Sequence, residues 1–177
     1  MEHPTPRPSL TGPSLIVLRG NSAAGKTSTA WHVRALFGAG LALISQDNVR
    51  INVLAEPDVA GGTAVEMIDA MVRTALRRDY HVLLEGVLAT ARYSRMLRDL
   101  HQDHPERSFF FYLDIPWKET LARHATRRKQ EQFGEEQMAQ WFIPHDVLDG
   151  VGEISIGPCS SLDQSAHLIL NSAFHGV

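Results

Sequence analysis

Five short apolar runs punctuate the chain, and the stretches between them carry helical spacing. Residues 15–18 (Leu-Ile-Val-Leu), 41–44 (Leu-Ala-Leu-Ile), 81–85 (His-Val-Leu-Leu-Glu), 108–113 (Ser-Phe-Phe-Phe-Tyr-Leu) and 153–156 (Glu-Ile-Ser-Ile) read as strands. Most are too continuously apolar to present a wet face, the mark of strands covered on both sides. After the first run, Ala30, Val33 and Phe37 recur at helical spacing, with Gly38 as a stop and Trp31 assigned to the core. A short helical piece is expected over 49–54, broken by Glu56-Pro57-Asp58. Residues 63–79 place Val65, Ile68, Met71, Val72, Ala75 and Leu76 on one stripe. Residues 91–102 turn Met96, Leu97 and Leu100 inward and Arg92, Arg95 and Arg98 outward, and His104-Pro105 ends them. Pro116 suits the first position of a helix over 117 to about 128. A polar stretch, 129–140, bends at Gly134, and 162–174 forms a closing helix. Strand and helix alternate throughout. The pattern predicts a three-layer α/β fold around a five-stranded parallel sheet, with right-handed crossovers.

In such a sheet the C-terminal ends of all strands share one edge, and ligands bind there. The first strand runs into Gly20-Asn21-Ser22-Ala23-Ala24-Gly25-Lys26-Thr27, followed by Ser28. That octapeptide fits G-x-x-x-x-G-K-[ST], the Walker A phosphate-binding loop, and it lies between a strand and a helix as the motif requires. Gly20 and Gly25 let the backbone curl so that its N–H groups face one point, and the helix N-terminus adds its positive dipole end. Lys26 is placed for the β- and γ-phosphates and the Thr27 hydroxyl for Mg²⁺. The residues from Gly20 through Ser28 are therefore the expected nucleoside-triphosphate site. The alternative, a glycine turn beside a chance lysine, fits neither flank.

The other strand ends fill out that edge. A helix from Lys26 carries the chain about 20 Å away at 1.5 Å per residue, and the second strand returns it to Asp47. A hydroxyl attacking a phosphoryl group needs orientation and a proton acceptor, so Asp47 is the candidate base; its bland alternative is helix capping. Arg50, one turn on, either holds a polar or anionic substrate or pairs with a surface carboxylate. Glu85 closes an apolar strand and is a candidate for holding a Mg²⁺ water or gripping substrate; otherwise it caps a turn. Asp114, followed by Pro116, reads better as a helix cap. Arg123, Arg127 and Arg128 precede the glycine-bent stretch, and an arginine there would close over phosphate charge. A solvated helix end is the plain alternative, and Arg123 would alternatively lie on the nucleotide base. His101 and His104 have no acid or cysteine cluster to complete a metal site. Trp141-Phe142 is expected to pack the base of a lid, the Phe109–Phe111 run is core, and Cys159 follows the fifth strand near the expected nucleotide base.

Bulk composition narrows the setting. The chain has 177 residues, 44% hydrophobic and 21% charged, enough for one domain with a real core. Its net charge of -3, without runs of like charge, gives no nucleic-acid footprint. A single cysteine excludes an internal disulfide and suits a reducing cytosol, and no apolar stretch reaches membrane-span length. The chain has no signal-peptide core, so a cytoplasmic setting is expected. Residues 1–13, with Pro4, Pro6, Pro8 and Pro13, are expected to be a disordered arm ahead of a single domain over 14–177, with a lid at about 127–145.

Taken together, the Walker loop, Ser45-x-Asp47-x-x-Arg50 and Leu84-Glu85-Gly86 resemble the small P-loop kinases. The resemblance is to the group containing zeta-toxin-type kinases, chloramphenicol phosphotransferase and phage polynucleotide kinase, and it spans about 14–174. It implies a strand order of 2-3-1-4-5, which periodicity does not show. It also implies ATP with Mg²⁺, Asp47 as base, and phosphate contacts from Arg123, Arg127 or Arg128. The expected machinery is then Lys26, Asp47 and Arg127 for transfer, with Asp47, Arg50, Glu85 and the 56–62 loop around a small-molecule hydroxyl acceptor. No aspartate-rich Walker B segment is present. Two alternatives stand: a polynucleotide 5′-hydroxyl kinase, disfavoured by the missing basic surface, and a nucleotide-binding regulator or NTPase switch, whose GTPase form lacks an Asn-Lys-x-Asp motif.

Overall fold

Strand β1, Leu15–Gly20, is buried at every position. In the structure, a computed structural model that describes residues 12–125 and 134–174, this strand occupies the middle of the sheet. The order is β2-β3-β1-β4-β5, with β2 Leu41–Ser45, β3 His81–Glu85, β4 Ser108–Leu113 and β5 Ile154–Ile156. All four pairings are parallel.

Alternation along the central strands explains both faces. Leu15 and Val17 join Val82, Leu84 and Phe110 in one apolar layer, whereas Ile16 and Leu18 join Leu83 and Phe111 in the other. Successive side chains point to opposite faces, so a strand buried on both must be apolar at every position. The first layer is closed by α2 (Thr63–Arg77) through Ile68, Val72 and Leu76, and by α3 (Thr90–Asp103) through Tyr93, Met96, Leu97 and Leu100. The second is closed by α1 (Lys26–Phe37) through Ala30 and Val33, and by α6 (Leu162–Phe174) through Ala166, Ile169, Leu170 and Ala173. A short π-helical segment, Asn48–Val53, follows β2. Helix α4, Trp117–Ala125, follows β4, and α5, Glu135–Trp141, precedes the return to β5.

Three expectations need correction. Trp31 is 58% exposed, not core: the buried stripe of α1 runs through Thr29, Ala30 and Val33, and a residue one step from Ala30 turns about 100° away. Its ring carries the Arg34 guanidinium at 5.7 Å instead. The polar stretch around Gly134 contains helix α5, which buries Met138 alone and so gives no periodic signal. Trp141 is half exposed, while Phe142 does pack, edge-on to Trp117 at 5.2 Å. Among the described residues no helix is long and apolar enough to cross a membrane. Arg127, Arg128 and the arm before residue 12 lie outside the described residues.

Candidate active site

The loop between β1 and α1 is built by its glycines. Gly20 has φ 146°, and a Cβ there would stand 2.8 Å from the Leu113 carbonyl of the neighbouring strand. Gly25 has φ 108°. Neither position accepts a side chain without strain. Ala23 also sits in the left-handed region, at φ 62°. Lys26 opens α1, is buried, and donates from Nζ to the Asn21 carbonyl at 2.8 Å. The Ala24 N–H donates to the same carbonyl at 3.2 Å. The Asn21 side chain reaches elsewhere. Its Nδ2 donates to the Ile143 carbonyl at 2.7 Å and to the Tyr112 hydroxyl at 3.2 Å, and its Oδ1 accepts from the Ile143 N–H at 2.9 Å.

Glu85 ends β3 beside this loop, in register with Leu18 of β1 and Ser45 of β2. It is 3% exposed, and the Thr27 hydroxyl donates toward its carboxylate at 3.3 Å from either oxygen. Its neighbour Gly86 has no room for a methyl, which would meet Gln46 Cβ at 2.5 Å. Gln46 is itself buried and accepts from the Leu88 N–H at 3.0 Å. This support for the edge escaped the sequence reading, because a glutamine before a turn carries no pattern.

Asp47 lies two residues past β2 with its side chain half exposed. It makes no side-chain cap to the segment that follows, so capping does not account for it. Arg50 faces it at 3.4 Å and reaches the Glu56 carbonyl at 3.4 Å, two long contacts that leave the guanidinium loosely held. Farther out, Asp58 accepts from the Tyr93 hydroxyl at 2.8 Å and pairs with Arg92 at 2.9 Å. Burial, with the Asp58 hydrogen bond second, pushes the Tyr93 phenol well above its ordinary range.

On the other side of the loop a cleft of about 430 Å³ opens between Ala24, Gly25, Ser28 and Thr29 of the loop, Leu113 and Ile115 after β4, and residues 157–161 after β5. Arg123 lines it, donates to the Ala24 carbonyl at 2.8 Å and pairs with Glu119. Cys159 is exposed at its wall. The Asp114 carboxylate, just past β4, meets His145 Nδ1 at 2.8 Å. His101 is likewise structural, with Nδ1 2.6 Å from the Ser108 hydroxyl and its ring edge-on to Phe110. Among the described residues no group of three or more His, Cys, Asp or Glu side chains converges.

Directly under the loop lies a cluster that sequence reasoning missed. Arg19 continues the Leu15–Val17 row of β1 and is fully buried. Its Nη1 binds Glu153 at 3.0 and 2.9 Å, its Nη2 binds Asp146 at 3.0 Å, and its Nε donates to the Leu88 carbonyl at 3.0 Å. The signal was present: an arginine in a strand buried on both faces must bring its own carboxylates. Burial drives the Glu153 carboxyl upward, against the opposing pull of Arg19. Burial likewise pushes the Tyr112 hydroxyl up to about 12, so it remains protonated between Asn21 and Ile143.

Residues 15–142 match the family model described as AAA domain. The chain belongs to that family. No curated protein matches it in sequence. Among solved structures, the Mycobacterium tuberculosis APS kinase bound to AMPPNP and APS superposes with a TM-score of 0.70 at 17% identity, covering 90% of this chain and 96% of that one. A gluconokinase from Sinorhizobium meliloti gives 0.61 at 17% identity, covering 93% and 98%. A chain of the Pnkp1/Rnl/Hen1 RNA repair complex gives 0.54 at 19% identity, covering 96% of this chain and 47% of that one. At these identities the likeness is one of fold: the three-layer P-loop architecture with its 2-3-1-4-5 sheet.

Proposed function

We propose that the chain is a Mg²⁺-dependent kinase that moves the γ-phosphoryl group of ATP onto a hydroxyl of a small molecule. The observation that carries this reading is the meeting of Lys26, Thr27 and Glu85 at one sheet edge, with Asp47 at the end of the adjoining strand. The donor half is the loop from Gly20 through Ser28, whose N–H groups and α1 N-terminus suit phosphate oxygens. Asn21 takes part through its backbone, since its side chain is bound to Ile143. The nucleoside fits the cleft lined by Arg123 and residues 157–161. Arg127 as the residue closing on the transferring group, and Arg128 on the phosphates, rest on the kinase resemblance.

The donor set fits the metal. Thr27 Oγ1 and the Glu85 carboxylate are hard oxygens beside each other, and Mg²⁺ is commonly held by one or two such groups with phosphates and waters completing the shell. When bound, Mg²⁺ neutralises charge developing on the β- and γ-oxygens. Lys26 leaves the Asn21 carbonyl to meet the same oxygens. Asp47 accepts the acceptor's hydroxyl proton as the new O–P bond forms and the bond to the bridging oxygen breaks, releasing ADP. Arg50 orients that carboxylate or holds a polar group of the acceptor.

A second reading, a polynucleotide 5′-hydroxyl kinase, is favoured by the superposition on the RNA repair complex. A net charge of -3 weighs against it. Labelled-phosphate transfer from ATP, screened over sugars, nucleosides, antibiotics and oligonucleotides, tests both. Label is expected on one small-molecule class, and none with Lys26→Ala. ATP binding without transfer to any acceptor would instead support a nucleotide-binding regulator.

A further inference from the structure

By its place in the sequence Asn21 belongs to the phosphate loop, yet it serves two masters. Its backbone carbonyl accepts from Lys26 Nζ at 2.8 Å, the group expected to move onto phosphate. Its side-chain amide closes a two-bond ring on a single distant peptide, donating to the Ile143 carbonyl at 2.7 Å and accepting from the Ile143 N–H at 2.9 Å. The residue is 4% exposed, so water does not readily replace these bonds. Ile143 stands two residues beyond the end of α5, in irregular backbone with no sheet ladder to satisfy it. Without Asn21, the half-buried Ile143 N–H loses this partner, and its C=O keeps the Tyr112 hydroxyl, which reaches it at 3.4 Å.

The same anchor continues downstream. The Asp146 N–H donates to Tyr112 at 3.3 Å, and the Asp146 carboxylate holds Arg19 and the Thr90 N–H, each at 3.0 Å. Helix α5, by contrast, buries only Met138. What holds Ile143 therefore adds to the Met138 burial and the Phe142–Trp117 contact in tying α5 to the sheet.

We infer that Asn21 is a positioning residue that couples nucleotide binding in the Gly20–Thr27 loop to the order of α5 and of residues 142–148. The inference rests on the reading that this loop takes a nucleotide, and not on phosphoryl transfer. Lys26 has two alternative partners, the Asn21 carbonyl and a phosphate. The choice between them bears on the loop conformation in which the Asn21 side chain meets Ile143. Such coupling is reciprocal: whatever orders α5 tightens nucleotide binding by the same factor.

Amide hydrogen exchange on the full chain, with and without AMPPNP and Mg²⁺, reads the coupling directly. In the wild type, saturating AMPPNP is expected to slow exchange across 136–145 by at least about fivefold, the lower end of ordinary allosteric coupling. In Asn21→Ala, measured at AMPPNP concentrations that saturate the variant, the slowing falls below about twofold, and by reciprocity its AMPPNP affinity is expected to fall by the same factor as the lost coupling. A merely structural asparagine would speed exchange equally with and without nucleotide, leaving the ratio at its wild-type value; that result overturns the inference. So does an absence of slowing in the wild type. Asn21→Asp keeps the size and the acceptor for the Ile143 N–H but lacks the donor for its carbonyl, and so guards against a misfolded alanine variant. Its ratio is expected below wild type, and equality sinks the idea. Coupling without any phosphorylated acceptor would leave this inference standing and remove the kinase reading; transfer without coupling would do the reverse.

Discussion

The Thr27 hydroxyl lies 3.3 Å from each carboxylate oxygen of Glu85, 58 residues away in sequence. The parallel β1–β3 pairing, with Leu18 opposite Glu85, brings them together. If this pair serves the metal, Glu85→Gln keeps the shape and removes the negative charge that would hold a metal-bound water. Transfer is expected to fall about 10- to 100-fold at limiting Mg²⁺, the usual effect of losing an outer metal partner. Raising Mg²⁺ should recover part of the loss. A rate that drops equally at every Mg²⁺ concentration would move Glu85 to the acceptor side.

Arg19 predicts a stability effect without touching a ligand. Arg19→Met leaves the buried Glu153 and the largely covered Asp146 without their cation. Breaking a buried pair by removing one partner costs about 3–5 kcal/mol. At roughly 2–4 °C per kcal/mol for a chain of this size, the thermal midpoint should fall by roughly 6–20 °C. Circular dichroism melts at pH 7.5 measure it. A shift within a degree or two would mean that water or a rearranged partner satisfies the carboxylates.

His81 predicts how stability follows pH. Its ring packs against Phe37 and Phe174, and its Nδ1 accepts from the Ser14 N–H at 3.0 Å, which requires the neutral form. Burial first, and the Arg107 charge second, hold its pKa below the ordinary 6.5. The folded state then binds fewer protons than the unfolded one. The stability it contributes is present above pH 6.5 and is lost as pH falls through the lowered folded value. Urea midpoints taken from pH 7.5 down to 5 should decline more steeply in the wild type than in His81→Gln, which keeps an acceptor and cannot charge. Parallel curves would assign the decline to another group.

The sequence made the fold legible where burial is two-sided. The β4 and α6 bounds fall where the apolar pattern placed them, Ser108–Leu113 and Leu162–Phe174, because a strand covered on both faces tolerates no polar break. It failed where a helix buries a single residue, as α5 does with Met138, and where hydrophobicity hides direction, as at Trp31. At the sheet edge, the positions of Glu85 at the end of β3 and Asp47 past β2 were readable from the strand pattern, whatever their roles. The buried Arg19 announced a need for carboxylates but not which ones, since Glu153 and Asp146 lie 134 and 127 residues away. Local pattern cannot report a partner at that separation. For the same reason Asn21 read as a plain loop position, although its amide is bound 122 residues downstream at Ile143.

Asp47 offers the sharpest test of the proposed chemistry. Its side chain makes no cap to the segment that follows, stands half exposed, and among the described residues has the long contact to Arg50. Removing its charge therefore disturbs little in the fold, and Asp47→Asn should melt within a degree or two of the wild type. The substitution also leaves the Gly20–Thr27 loop untouched, so ATP affinity by calorimetry should stay within about threefold. What it removes is the proton acceptor beside the incoming hydroxyl. A positioned base contributes about 10²–10⁴ in rate, so kcat should fall at least about a hundredfold. Near-normal transfer with intact ATP binding would exclude Asp47 as the base and leave Glu85, a second carboxylate on this edge, to be tested in its place. A loss confined to acceptor KM would instead make Asp47 a binding group. The split between kcat and KM thus separates proton transfer from substrate grip.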